Sequence, residues 1–148
     1  MFTLRGLRWP DDRQALLALD TSFTTERVYR VVPTGVSFVL EEAAMTPPLR
    51  KVYDLSAEVE RFPTLDDVLI AESAGQVAGV AALAFEAENR RAMLAHLYVG
   101  PAYRGQGIGR ALIDAMVVRA RQYRARCLWL ETQDVNYGAI QFYRRVGF

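Results

Sequence analysis

One cysteine, Cys127, and one histidine, His96, are all that this 148-residue chain has of those two side chains. A single thiol excludes an internal disulfide and a thiolate metal site. A single imidazole removes most zinc sites and most nucleophile–base–acid triads. Charge of one sign is missing as well. Eighteen basic side chains face 17 acidic ones, for a formal net charge of +1. That balance gives no electrostatic footprint for nucleic acid or for an anionic membrane. No apolar run approaches the roughly 18 residues of a membrane span. The N-terminus, MFTLRGLRWPDD, lacks the arrangement of a secretory signal. Repeats, low-complexity tracts and an inter-domain linker are also absent. The expectation is a soluble cytoplasmic protein with no nucleic-acid or membrane partner.

The chain does have enough apolar sequence for a core. Hydrophobic residues make up 51% and charged residues 24%. That composition and length fit one domain spanning 1–148. FTLRGLR, residues 2–8, alternates like a strand. In WPDDRQALLALD, Pro10 suits a helix start, Asp11 and Asp12 favour its positive end, and Ala15, Leu16 and Leu19 share an apolar face. Strands at 27–32 and in VSFVLEE flank the turn signal Pro33-Thr34-Gly35, which predicts a hairpin over 27–42. Pro47-Pro48 opens an irregular or extended piece, followed by LRKVYDL. DDVLIAES, the turn Ala74-Gly75, VAGVAALAFEA and AMLAHLYV (92–99) read as three strands. A helix over 105–123 follows, then a strand CLWLET (127–132), then a helix from Tyr137 to Arg145. Strands and helices in this order predict a mixed α+β or α/β sheet with helices packed on it.

The sharpest local signal is YRGQGIGRAL, residues 103–112. Gly105, Gly107 and Gly109 alternate between Arg104 and Arg110, after a strand and at the start of a helix. Helix N-termini carry unpaired N–H groups and about half a positive charge. Glycines let that backbone fold around an anion, and arginines add charge-assisted contacts. The stretch reads as a phosphate cradle. It differs from the dinucleotide fingerprint, which needs glycine where Arg110 stands, and from the P-loop, which needs Gly-Lys-Ser/Thr. The structural alternative is a tight turn with close helix–sheet packing.

LYVGPAYRGQGIGRALI resembles the acetyl-CoA-binding segment of the GNAT superfamily of N-acetyltransferases. LETQDVNYGAIQFYRRVGF, residues 130–148, is similar to the same family's closing pattern: a strand, an Asn, a short helix bearing a Tyr, and Gly-Phe. LETQ followed by N, A and FY resembles the streptothricin acetyltransferase branch, as do DTSFTTERVYRV and PPLRKVYDL. The resemblance implies a twisted, mostly antiparallel sheet with helices on both faces. Strands 92–99 and 127–132 would splay to admit pantetheine. It further implies an acceptor-side region over 1–65 and a coenzyme core over 66–148. Family members continue into further strands after Gly-Phe, so those C-terminal strands are expected to be missing here.

The activity implied is transfer of an acetyl group from acetyl-CoA to a primary amine of a small molecule, with a streptothricin-like antibiotic as a candidate and antibiotic resistance as its consequence. Alternatives are a protein N-terminus or lysine as acceptor, or an acyl-CoA-binding module without turnover. A homodimer is a candidate assembly. A lysine-like amine of pKa near 10.4 is charged at neutral pH, and freeing its lone pair costs about 4.6 kcal/mol. Tyr143 is the implied acid for the departing thiolate; its alternative is a core aromatic beside Phe142. His96 is a candidate base, since Ala95 stands where relatives often carry an acid; its alternative is a structural role. Glu131, or a water held by it, is a second candidate. Leu97 and Val99 would pair with pantetheine through backbone groups. Arg104, Gly105, Gln106, Gly107, Ile108, Gly109 and Arg110 would hold the diphosphate. Asn136 would bind a pantetheine amide, cap the last helix, or do both.

Overall fold

The computed structural model describes all 148 residues. The backbone groups into two compact units, Met1–Thr21 with Val52–Leu130, and Ser22–Lys51 with Glu131–Phe148. The first unit carries a five-stranded sheet. Its strands are β1 (Phe2–Gly6), β4 (Asp67–Ser73), β5 (Gln76–Glu86), β6 (Arg91–Val99) and β7 (Cys127–Trp129). They lie side by side in the order β1-β4-β5-β6-β7. The first three pairings are antiparallel, and β6–β7 is parallel.

Strand alternation divides the residues of β4 and β5 between two faces. Val68, Ile70, Val80 and Ala82 share one face, since Ile70 pairs with Val80 and Val68 with Ala82. Leu16 of α1 (Arg13–Leu17) and Val59 and Phe62 of a 3-10 helix (Val59–Thr64) cover that face. Leu69, Ala71 and Ala81 point the other way. There they meet α2 (Ile108–Gln122), whose Ile108, Leu112, Ile113 and Met116 are buried. Helices therefore cover both faces of this sheet.

Several expected elements change length. The first helix shrinks to five residues because Asp12 does not cap it. The Asp12 carboxylate instead takes two bonds from the Arg5 guanidinium, at 2.7 and 2.8 Å, and one from the Arg8 N–H at 2.7 Å. The Arg5 bonds hold that carboxyl below its ordinary range against the cost of burial. The helix expected at 105 begins at Ile108, because Gly105 (φ 75°) and Gly107 (φ 85°) are left-handed and cannot sit in a right-handed helix. The strand expected over 127–132 ends at Trp129. Val59–Thr64 gave no periodic signal, since it is too short to show one.

The second unit holds a hairpin of β2 (Phe23–Thr34) and β3 (Ser37–Lys51) with α3 (Tyr137–Val146). Thr34 pairs with Ser37, so Gly35 and Val36 form a two-residue loop, with Gly35 at φ 67°. The hairpin is much longer than the expected 27–42. Pro47 and Pro48 lie inside β3, and the ladder shifts register between Thr25 and Arg27 opposite that stretch. A two-stranded ribbon leaves each strand one open edge, where proline is tolerated. The backbone N–H of Tyr29 donates to the Asp134 carbonyl (3.0 Å), and Gln141 Nε2 donates to the Tyr29 hydroxyl (2.6 Å). No helix is long and apolar enough to cross a membrane.

Candidate active site

The first unit places the sheet edge and the glycine loop in one continuous run. β7 pairs with β6 only at Arg91, Ala92 and Met93, opposite Cys127, Leu128 and Trp129. Beyond Met93 the two strands have no shared ladder. The departure coincides with a bulge. Leu94 pairs with Leu83 and His96 with Ala82, which leaves Ala95 as the extra residue. Bulges bend a strand and redirect its side chains, and this one falls where β7 leaves.

Past the bulge, the hydrogen-bond phase of β6 can be read directly. Val99 is opposite Gly79, and the Gly100 N–H donates to the Ala78 carbonyl at 2.9 Å. That bond flanks a pair of the non-hydrogen-bonded kind, so the N–H and C=O of Val99 point away from β5. Leu97, opposite Ala81 and two residues back, has the same phase. Both residues therefore present backbone groups toward the edge that β7 has vacated. The Val99 carbonyl accepts from Arg104 Nε at 2.9 Å, which ties the glycine loop to the strand end.

The loop then enters α2. The first intrahelical bond runs from the Ala111 N–H to the Gly107 carbonyl at 3.0 Å, so the N–H groups of Ile108, Gly109 and Arg110 precede it. A Cβ built on Gly105 or Gly107 would meet nothing within 4 Å. The space beside both is open, and the backbone at both is left-handed. These features fit a diphosphate cradle. Ile108 has its side chain in the core at 1% exposure, so only its N–H is available to a ligand. Arg110 Nε lies 3.0 Å from both oxygens of Asp114, an exposed pair one helical turn apart. Such pairs contribute little, so the guanidinium can exchange Asp114 for a phosphate at small cost. Burial lowers the pKa of Arg104, and Asp20 opposes that shift. Gln106 donates to the Ala102 carbonyl at 3.0 Å.

His96 lies on the sheet face that carries Val80 and Ala82. Its ring is 4.9 Å from Phe62 and 6.0 Å from Tyr98. Burial pushes the imidazole below its usual pKa; Glu58 opposes the shift and Arg61 adds to it. The ring is therefore a neutral acceptor at pH 7. Trp129, at the last paired position of β7, holds its indole N–H buried without an acceptor, and the Arg91 guanidinium lies 5.1 Å over its ring.

The remaining expected residues belong to the second unit. Asn136 Oδ1 accepts from the Ala139 N–H at 3.2 Å, so the capping role is present. Tyr143 sits in the last turns of α3, 5.6 Å from Phe142 and 5.8 Å from Phe148 by ring centroids. Its carbonyl receives the N–H groups of Gly147 (3.1 Å) and Phe148 (3.0 Å), closing the helix through a left-handed Gly147. Glu131 is exposed and outside any strand. Sequence reasoning missed the β6 bulge and the residues around His96, namely Phe62, Glu58 and Arg61. Nothing in the spacing ties the region near residue 60 to residue 96.

Comparison with known proteins decides the family. Residues 37–148 match the model of the Acetyltransferase (GNAT) family. The chain belongs to that family. It is an N-acetyltransferase, and its acyl donor is acetyl-CoA. A Streptomyces lavendulae protein named streptothricin acetyltransferase is 40% identical over 147 residues, covering 94% of this chain and 77% of that protein. The crystal structure of nourseothricin acetyltransferase superposes with a TM-score of 0.88 at 38% identity, over 99% of this chain and 82% of that one. A Bacillus anthracis protein crystallised with acetyl coenzyme A shares the fold, with a TM-score of 0.77 at 24% identity, over 99% of this chain and 81% of that one.

Proposed function

We propose that this acetyltransferase acetylates a primary amine of a streptothricin-like antibiotic. The observation that carries the reading is the likeness to the Streptomyces streptothricin enzyme, which runs through the β2–β3 hairpin as well as the coenzyme-binding half. The bound donor supplies a thioester. Backbone N–H groups of Ile108, Gly109 and Arg110, with the Arg104 and Arg110 guanidinium groups, hold its diphosphate. Loop residues Gly105, Gln106 and Gly107 shape the turn that leaves room for it. The outward-facing groups of Leu97 and Val99 pair with pantetheine as a neighbouring strand would, and Asn136 adds an amide contact beyond its capping bond.

His96 takes the proton of the acceptor ammonium, since a desolvated neutral imidazole is an acceptor at neutral pH. Glu131 is the second candidate for that role, acting directly or through water. As the amine's N–C bond forms, the C–S bond breaks and the electron pair goes to sulfur; the nitrogen's second proton leaves to water, from which the Tyr143 phenol is restored. Tyr143 Oη gives its proton to that thiolate, whose own pKa of about 8.5 favours capture of a proton at neutral pH. The test is thiol release from acetyl-CoA with streptothricin as acceptor. Wild type turns over, and Tyr143→Phe lowers kcat about 100-fold with little change in the acetyl-CoA KM. No turnover with streptothricin removes the antibiotic, and an unchanged kcat removes Tyr143 as the acid.

A further inference from the structure

One face of the sheet in the first unit carries a row of rings that the coenzyme cradle does not use. Tyr53 lies 5.8 Å from Tyr98, Tyr98 is 6.0 Å from His96, and His96 is 4.9 Å from Phe62. Phe62 is the buried end; His96, Tyr98 and Tyr53 are all half-buried. Hydrophobic packing accounts for Phe62. It accounts for part of Tyr98, which lies against the same core, and leaves His96 and Tyr53 as polar rings with partial exposure.

Tyr53 is held in place by its backbone. Its N–H donates to Thr21 Oγ1 at 3.0 Å, and that buried hydroxyl donates to the Tyr53 carbonyl at 2.6 Å. One carboxylate acts on the row. Glu58, at the start of the 3-10 helix, interacts electrostatically with both His96 and Tyr98. The nearby Asp54 is already committed, since its two oxygens receive the N–H and hydroxyl of Ser56 at 2.8 Å each. Arg61 touches only Oε2 of Glu58, at 3.1 Å, in a largely exposed pair. Such pairs are weak, and Oε1 remains an acceptor. Tyrosine faces beside a carboxylate are the chemistry that holds an organic ammonium.

We propose that the acceptor carries a second cationic group, anchored by the Glu58 carboxylate against the rings of Tyr98 and Tyr53, while its reacting amine lies at His96. An acceptor with two such nitrogens is a diamine or contains one. Glu58 is then a positioning residue for the acetyl transfer. This rests on the reading of His96 as the acceptor-side base, and the experiment keeps the two apart.

The chain's single histidine makes its imidazole NMR signals unambiguous. With CoA bound, His96 shifts are titrated with cadaverine and with hexylamine, which replaces one ammonium by a methyl group. Thiol release from acetyl-CoA is measured with both amines in parallel. Wild type is expected to favour cadaverine at least tenfold in binding and in kcat/KM. Glu58→Gln is expected to erase that preference, and Glu60→Gln, on the same helix and paired with Arg13, to keep it. A preference absent from wild type, or intact in Glu58→Gln, overturns the proposal. So does a failure of cadaverine both to bind and to react. Binding of cadaverine that depends on Glu58, without acetylation of either amine, keeps the cation site and removes His96 as the acceptor-side base. Acetylation of both amines without preference does the reverse.

Discussion

The two units bury their apolar residues in very different ways. Every one of the largest fully buried side chains, from Phe62 and Leu16 to Val59 and Val80, belongs to the five-stranded unit. The hairpin unit buries Val28 and Tyr29 but exposes Val31 (53%), Phe38 (72%) and Leu40 (56%). Val31 pairs with Leu40 and Pro33 with Phe38, so these side chains share one face of the ribbon. An open groove of about 730 Å³ runs beside Val31, Leu40, Lys51, Thr132, Gln133, Asp134, Val135 and Ile140. The hairpin relies on specific polar bonds instead. Tyr29 stacks on Tyr137 at 5.3 Å, and the Tyr137 hydroxyl donates to Glu42 at 3.1 Å. Lys51 Nζ bonds to Gln133. The helix-covered sheet is held by a dense core, whereas the two-stranded ribbon keeps its pairing with few buried groups.

That contrast can be broken most forcefully at Phe62. Phe62→Ala removes a fully buried ring and is expected to cost about 3–5 kcal/mol, read from urea unfolding. A loss under about 1 kcal/mol would show that the five-stranded unit is not densely packed. A smaller effect concerns His96. Its folded pKa lies below the unfolded value near 6.5, so its contribution to stability is fully present above that value and is lost as pH falls through the folded pKa. Acidification below about pH 6.5 should therefore destabilise wild type more steeply than His96→Asn. Equal slopes would mean that the imidazole is not desolvated. The smallest effect is expected in the ribbon. Leu40→Thr should change stability by no more than about 0.5 kcal/mol, and a much larger loss would mean that the exposed face is buried in solution.

Legibility in the sequence follows the same division. Strands 67–73, 76–86 and 91–99 were readable because their apolar runs end at turn residues such as Ala74-Gly75. The turn before α2 is legible because Gly105 and Gly107 have positive φ angles that other residues rarely adopt. Gly35 marks the hairpin turn in the sequence, but the hairpin's length is not legible there, because Pro47 and Pro48 signal irregular chain everywhere except at a strand's open edge. The bulge at Ala95 left no mark. It is set by how β6 pairs with β5, not by any local preference. The surroundings of His96 were hidden for a similar reason, since Phe62 and Glu58 approach it only through the fold.

Most of the account depends on the backbone at the start of α2, and one titration addresses it. CoA is added to wild type and to Gly107→Val, with the cooperative thermal unfolding of both recorded beforehand. Valine cannot adopt φ 85° without strain, and its side chain would fill the open space beside the loop. CoA affinity is expected to fall by about 100-fold or more in a variant that still folds, the loss of roughly two charge-assisted bonds. A folded Gly107→Val protein that binds CoA as tightly as wild type would contradict the assignment of the diphosphate to this loop.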